Sequence, residues 1–256
     1  MINLMKAEFL KLKKSLPFKL VVLAMLVLSI VAAFSSLSYV GSPSAEELEM
    51  VFSGYEAFFV SLRDTTTIAM LGVLLVGIVV CSDFDNRTIQ AEISSGHKRI
   101  SVLLSKYVVF FVALFIAVFP YPFMRAILQG LLIGLGIELS LGVIFHMLLS
   151  CITVVFVSTA LISISILFAF VLRNTIITVV ASLVLIVLGG NALLSFGISI
   201  PALGNVLART PLGLGKDLYE NGYAAPDLFL ALGVSVIVIV VMIVVTQLFF
   251  RRAELK

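Results

Sequence analysis

The chain has 256 residues, of which 61% are hydrophobic and only 12% charged, with a mean hydropathy of +1.23. Ordinary soluble domains carry about 25% charged residues, so a soluble globular domain is excluded, and the absence of strand-like alternation excludes a β-barrel. The net charge of +3 hides an asymmetry along the chain and says nothing about nucleic acid; no nucleic-acid partner is expected.

The N-terminal stretch MINLMKAEFLKLKK repeats Ile2, Met5, Phe9 and Leu12 at helical spacing, with Lys6, Lys13 and Lys14 on other faces. That pattern predicts a helix over residues 1–17 lying in the membrane interface, apolar side down. It does not read as a cleavable signal, because the apolar run that follows outlasts a signal's core and no small-residue cleavage site follows it.

Uncharged runs then recur over 20–40, 65–82, 107–124, 139–172, 174–208 and 228–250. Each is long enough to cross a hydrocarbon layer of roughly 30 Å as a helix, and a helix satisfies its own backbone hydrogen bonds where lipid cannot. Six transmembrane helices are predicted, at about 18–40, 65–82, 107–125, 145–172, 175–194 and 228–250. Pro120 and Pro122 interrupt the third. The fourth and fifth runs exceed one span, and their spans are placed nearest Arg173. Gly130, Gly134, Gly136 and Gly142 are expected to break the chain before the fourth span; Gly189, Gly190, Gly197 and Pro201 are expected to break it after the fifth.

Lys and Arg set the orientation. With both termini inside, the inner segments hold Lys6, Lys11, Lys13, Lys14, Lys19, Arg87, Lys98, Arg99, Lys106, Arg173, Arg251, Arg252 and Lys256, which is 13 of the 17 bases. The outer segments hold Arg63, Arg125, Arg209 and Lys216. This is the bias of the positive-inside rule.

Several chemistries are missing. No phosphate-binding loop occurs: GLGKDL lacks the first glycine and the Ser or Thr after Lys216. Cys81 and Cys151 show neither metal spacing nor a disulfide framework and read as packing residues. Span centres lack the acids, bases and His that line ion pathways, and His146, near the outer end of the fourth span, reads as a packed residue. Ser150, Thr153, Ser158, Thr159, Ser163 and Ser165 crowd that span and read as close-packing positions between helices. No inverted repeat is visible. No catalytic residue, bound cofactor or metal is expected on this chain.

Between the second and third spans lies CSDFDNRTIQAEISSGHKRISVLLSK, with charges at Asp83, Asp85, Arg87, Glu92, Lys98, Arg99 and Lys106. Ile89 and Ile93 fall on one helical face with Glu92 beside them, and Ser95-Gly96 is suited to end that helix, since Gly accepts the left-handed cap conformation. Ile100, Leu103 and Leu104 restart a helix into the third span. In its six spans, N-terminal helix and loop text (Asp83, Thr88, Ser94 to Arg99, Lys106) the chain resembles the permease subunits of bacterial ATP-binding-cassette exporters of the type-2 class. It departs from that pattern where Asp85-Asn86-Arg87 replaces a commoner Gly and where Lys98 adds a second base.

The resemblance implies a single all-α permease domain over 1–256, a multi-pass protein of the bacterial plasma membrane with both termini in the cytoplasm. It implies a cytoplasmic coupling helix carrying Ile89, Glu92, Ile93, His97, Lys98 and Arg99, with the apolar face of Ile89 and Ile93 entering a groove on a separate nucleotide-binding ATPase that holds ATP and Mg. It further implies an extracellular helical hairpin between spans five and six, and a second permease, identical or homologous. The N-terminal text and small size look most like permeases for lantibiotic or bacitracin immunity or export, and imply hydrophobic or amphipathic cargo. A stand-alone secondary carrier or channel is the competing reading.

Overall fold

The computed structural model describes residues 2–37, 53–63 and 65–252. The expected end of the first span at 38–40 and the C-terminal Lys256 lie outside them. The described residues are almost entirely helical, with six helices long and apolar enough to cross a membrane. We call these span 1 (Leu16–Ser36), span 2 (Thr67–Asp85), span 3 (Arg99–Leu132), span 4 (Leu141–Leu172), span 5 (Thr175–Gly197) and span 6 (Ala225–Arg251). The shorter helices are α1 (Ile2–Lys14), α2 (Gly54–Arg63), α3 (Thr88–Ser94), α4 (Pro201–Leu207) and α5 (Pro211–Glu220).

Spans 2, 3 and 4 form the centre. Their most apolar windows are buried over 72%, 61% and 67%, against 22%, 17% and 17% for spans 1, 5 and 6. Since every span is comparably hydrophobic, burial rather than composition separates central from peripheral helices. Span 4 packs along span 6 and against spans 2 and 5; span 1 packs along span 3. Gly72 lets spans 2 and 4 approach, because a Cβ there would meet the side chain of Ile162.

Four expectations about breaks change. Span 3 is longer than the expected span 107–125: it begins at Arg99 and continues through Phe119, which keeps helical backbone angles, with Pro120 as first residue of its second half, to Leu132. Proline is tolerated there because its missing N–H falls at a helix start. Span 4 begins at Leu141, not 145, where the Ser140 hydroxyl accepts from the Val143 N–H and caps it. Gly189 and Gly190 do not end span 5. The helix widens into a π-helical stretch, Val184–Gly189, and runs on to Ser199, as a helix does where no water competes for its backbone groups. Gly130 likewise sits inside a helix; the turn comes at Gly134 and Gly136, both at positive φ.

Span 2 has its own π-helical stretch, Gly77–Cys81, and it packs against span 5. Between spans 5 and 6, α4 and α5 each start on a proline; α4 packs against the end of span 5, and α5 against spans 4 and 6 and α2. Cys81 and Cys151 are free and buried. The span 4 hydroxyls are also buried, and Thr153, Thr159 and Ser163 bond back to carbonyls of their own helix.

Candidate functional site

The end of the bundle where α1, α3 and the start of span 3 meet holds all the ion pairs found among the described residues. Lys106, on the first turns of span 3, is fully buried. Its Nζ donates to Glu8 Oε2 of α1 at 2.6 Å and to Asp83 Oδ2 at the end of span 2. Lys11, one turn on from Glu8, donates to Glu8 Oε1 at 2.9 Å and to Asp83 Oδ1 at 3.2 Å, and lies 3.8 Å from Glu92 of α3. Two ammoniums and three carboxylates from four elements therefore share one knot.

The local sequence explains why the knot forms. In α1 the buried stripe is Leu4, Glu8 and Leu12, an i, i+4, i+8 row that faces one neighbour. The row of Ile2, Met5, Phe9 and Leu12 expected to face the membrane shares Leu12 with this stripe; Met5 and Phe9 are half-buried, and the side chain of Ile2 lies outside the described set. Glu8 is the only acid among the first 19 residues. Set in the middle of an apolar stripe, it needs a buried cation, because an unpaired charge costs several kcal/mol to desolvate.

The knot's electrostatics are uneven. Burial works against the Lys11 ammonium, but its hydrogen bond to Glu8 and the charges of Asp83 and Glu8 together raise its pKa. Burial pushes the Glu92 carboxyl up, and Glu8 adds to the rise against the pull of Lys106 and Lys11, so that it titrates at about 7. Its Oε2 is buried and accepts no hydrogen bond among the described residues.

The loop residues singled out in the sequence divide between the interior and the surface. Ile89 is fully buried inside this chain, and Ile93 packs on the same core. The apolar face of α3 is thus turned toward its own spans, which corrects the expectation that it meets a partner. A seven-residue helix carries no sequence signal for which body takes its face. Glu92 belongs to the knot. Arg99 Nη1 donates to the carbonyls of Phe250, at 2.6 Å, and Arg251, at 3.0 Å, tying the start of span 3 to the end of span 6. His97 is half-buried, while Arg87, Ala91, Ser94, Ser95, Gly96 and Lys98 are exposed. Arg87 enters α3 in the left-handed conformation, with φ 55°, so the tight Asp85-Asn86-Arg87 turn presents its side chain outward.

A groove runs from this end between spans 2 and 5. Its first cavity, about 590 Å³, is lined by Ser82, Asp85, Thr175, Gly77 and Leu74 among others. An all-apolar one of about 360 Å³ follows, sharing Leu74 and bounded by Leu183 and Leu188. A third of about 240 Å³ shares Val187 and ends at Asn191, Arg63 and Lys216. Both π-helical stretches border the groove, a placement frequent at functional sites. Thr175 Oγ1 donates to Asp85 Oδ2 at 2.5 Å across its entrance, and a Cβ on Gly77 would meet Val179 at 3.1 Å. Among the described residues no group of three or more His, Cys, Asp or Glu is placed to hold a metal ion.

Compared with known families, residues 4–189 match the model described as ABC-2 family transporter protein. Comparison with curated proteins gives no match.

Proposed function

The chain belongs to the ABC-2 family of transporter proteins, and on that footing we propose that it is the membrane permease of an ATP-driven exporter whose ATPase docks on the loop carrying α3. The ionic knot carries this reading. Breaking a buried pair strands a charge and costs about 3–5 kcal/mol, so Glu8, Asp83 and Lys106 bind α1, span 2 and span 3 into one unit; α3 is joined to that unit by the buried Ile89 and by Glu92, 3.8 Å from Lys11, so a push on α3 is passed to it. Arg99 extends the link to span 6. Exposed Arg87, Ala91, Ser94 and Lys98 form the contact surface, while Ile89 and Ile93 fix α3 to the bundle. Glu92 and His97 stand behind that surface.

In this reading both termini and α3 face the cytoplasm of a bacterial cell, as the split of Lys and Arg supports. ATP and Mg are held by the partner ATPase, and this chain catalyses nothing. A second permease, identical or homologous, completes the transporter. The groove between spans 2 and 5, with apolar middle and polar ends, is suited to hydrophobic or amphipathic cargo. Small chain size and the N-terminal pattern support antimicrobial peptides of the lantibiotic or bacitracin kind as that cargo.

The test is co-purification of the cognate ATPase with tagged permease. Arg87→Glu combined with Lys98→Glu reverses two exposed charges and is expected to abolish ATPase retention, with the size-exclusion profile and melting temperature of the permease unchanged. Full retention by the double variant, or transport by the wild-type permease reconstituted alone, overturns the reading in favour of a stand-alone carrier.

A further inference from the structure

The end of the bundle away from the knot carries a feature that export by itself does not use. α2, α5 and the turn after α5 bound a cavity of about 460 Å³, lined by Tyr55, Glu56, Phe59, Val60, Tyr219, Gly222 and Tyr223. Four of these are aromatic and one is a carboxylate. The walls are built from fixed parts. The Phe59 ring lies 4.9 Å from Tyr55, edge-on at 71°, and 4.9 Å from Tyr223, tilted at 39°. Tyr223 sits at φ 56°, a conformation uncommon for a bulky residue. Its N–H donates to Leu218 O at 2.8 Å. Its carbonyl accepts from His146 Nε2 at 2.9 Å, which places the ring proton on that nitrogen. Glu56 is held in a capping box: Oε2 accepts from Ser53 N at 2.9 Å and Ser53 Oγ at 3.0 Å, and the Glu56 N–H donates to Ser53 Oγ at 3.3 Å. The carboxylate is exposed at the cavity's edge.

Aromatic faces carry negative quadrupole and attract cations, most strongly weakly hydrated organic ones such as quaternary ammonium groups. Tyr219 already serves in this way, with the Arg63 guanidinium 4.5 Å over its ring. Arg63 belongs to the neighbouring cavity and does not line this one. A neutral apolar guest would gain nothing from Glu56, and an anion would be repelled by it. Phe59, Tyr55 and Tyr219 are only half-buried, so their rings are open to a guest rather than sealed in a core.

We infer that this cavity is a receptor for an organic cation of the quaternary ammonium class, bound by the rings of Tyr55, Phe59 and Tyr219, which rest on the buried Tyr223, and by the charge of Glu56. The inference is independent of ATPase docking, and its test uses no ATPase.

The full chain is placed in phosphatidylglycerol nanodiscs, and saturation-transfer NMR follows choline at its N-methyl protons against its neutral isostere 3,3-dimethylbutan-1-ol. Choline is expected to bind about three- to fivefold more tightly, the ratio that a part-exposed cation–π contact of about 0.7–1 kcal/mol gives. Glu56→Gln keeps the capping box and removes the charge, and is expected to erase most of that preference. Tyr55→Leu weakens choline several-fold, whereas Tyr55→Phe, which restores a ring, retains it. Equal binding of the neutral isostere, or choline binding untouched by both Glu56→Gln and Tyr55→Leu, overturns the inference. Adding phosphatidylcholine to the discs separates two sources of the same chemistry: competition with choline assigns a lipid headgroup, and unchanged choline binding assigns a soluble cation.

Discussion

Lys106 Nζ lies 2.6 Å from Glu8 Oε2, and neither side chain is more than 3% exposed. The pair joins the N-terminal helix to the start of span 3, and Asp83 closes the triangle from the end of span 2. Lys106→Met removes the knot's fully buried cation and leaves two buried carboxylates with only Lys11. The expected loss is about 3–5 kcal/mol, because the cost is that of stranded charge and not of the lost bond alone. Lys106→Met combined with Glu8→Gln is expected to recover part of it. Thermal unfolding of the four variants in one detergent gives the coupling energy by a double-mutant cycle. A Lys106→Met melting curve that overlays wild type rejects the knot.

Glu92 adds a pH dependence of known sign. Its folded pKa, at about 7, is above the ordinary carboxyl value of 4.5, so the folded state holds a proton that the unfolded state has released between those two values. Stability from this group therefore falls as pH rises from about 4.5 to 7 and is flat above. Glu92→Gln mimics the protonated form. It is expected to melt higher than wild type at pH 8 and together with it at pH 5. The measurement is melting temperature across pH 5 to 8.5, and identical profiles for the two proteins contradict the assignment.

Ile89 anchors α3 to the bundle with no exposed surface. Ile89→Ala is expected to cost about 2–5 kcal/mol through lost burial and the cavity left behind. Ala91→Ser, on the exposed face of the same helix, is expected to stay within about 0.5 kcal/mol. Denaturant or thermal unfolding separates these; equal effects mean that the helix face is assigned backwards.

What the sequence revealed, and what it hid, follows from the range of each signal. The six apolar runs were legible because the bilayer imposes length and composition locally, residue by residue. The ends of span 3 were not, since Lys106 and Arg99 look like boundary charges until partners are found for them: the buried Glu8 and Asp83 for one, the Phe250 and Arg251 carbonyls for the other. Those partners are far away along the chain, and one sequence carries no trace of the pairing. A faint signal did exist in the lone acid Glu8 between Leu4 and Leu12. The apolar face of α3 was visible in Ile89 and Ile93, but its direction depends on what packs there. The aromatic cavity joins residues of α2 and α5 that are apart in sequence, and nothing local marks it.

Topology is tested by single cysteines at Ser94 and Asn221, both exposed, in a background lacking the buried Cys81 and Cys151. If the bases are inside, an impermeant thiol reagent added to intact cells labels position 221 and reaches position 94 only after lysis. Labelling of position 94 from outside inverts the assignment of both termini and of the proposed docking loop.

The last prediction concerns Gly54, where α2 meets the second half of span 3. A Cβ at this position would lie 2.7 Å from the carbonyl oxygen of Ala126 and 2.8 Å from Cα of Gly130. Both are backbone atoms, so no side chain is able to swing aside. The same contact is held by backbone hydrogen bonds, Gly54 N to Gly134 O at 3.0 Å and Tyr55 N to Leu135 O at 3.1 Å. Gly54→Ala must therefore push α2 off span 3 or break those bonds, at a cost of about 1–3 kcal/mol for an overpacked contact. Gly233→Ala in span 6 meets nothing within 4 Å and is expected to be neutral or slightly stabilising, since alanine is the better helix former. Because α2 also carries Tyr55 and Phe59, Gly54→Ala should loosen the aromatic wall as it loosens the fold. Melting temperature reads the first effect and choline binding in nanodiscs the second. An alanine variant at Gly54 as stable as that at Gly233 means that α2 does not seat on span 3 as closely as these distances require.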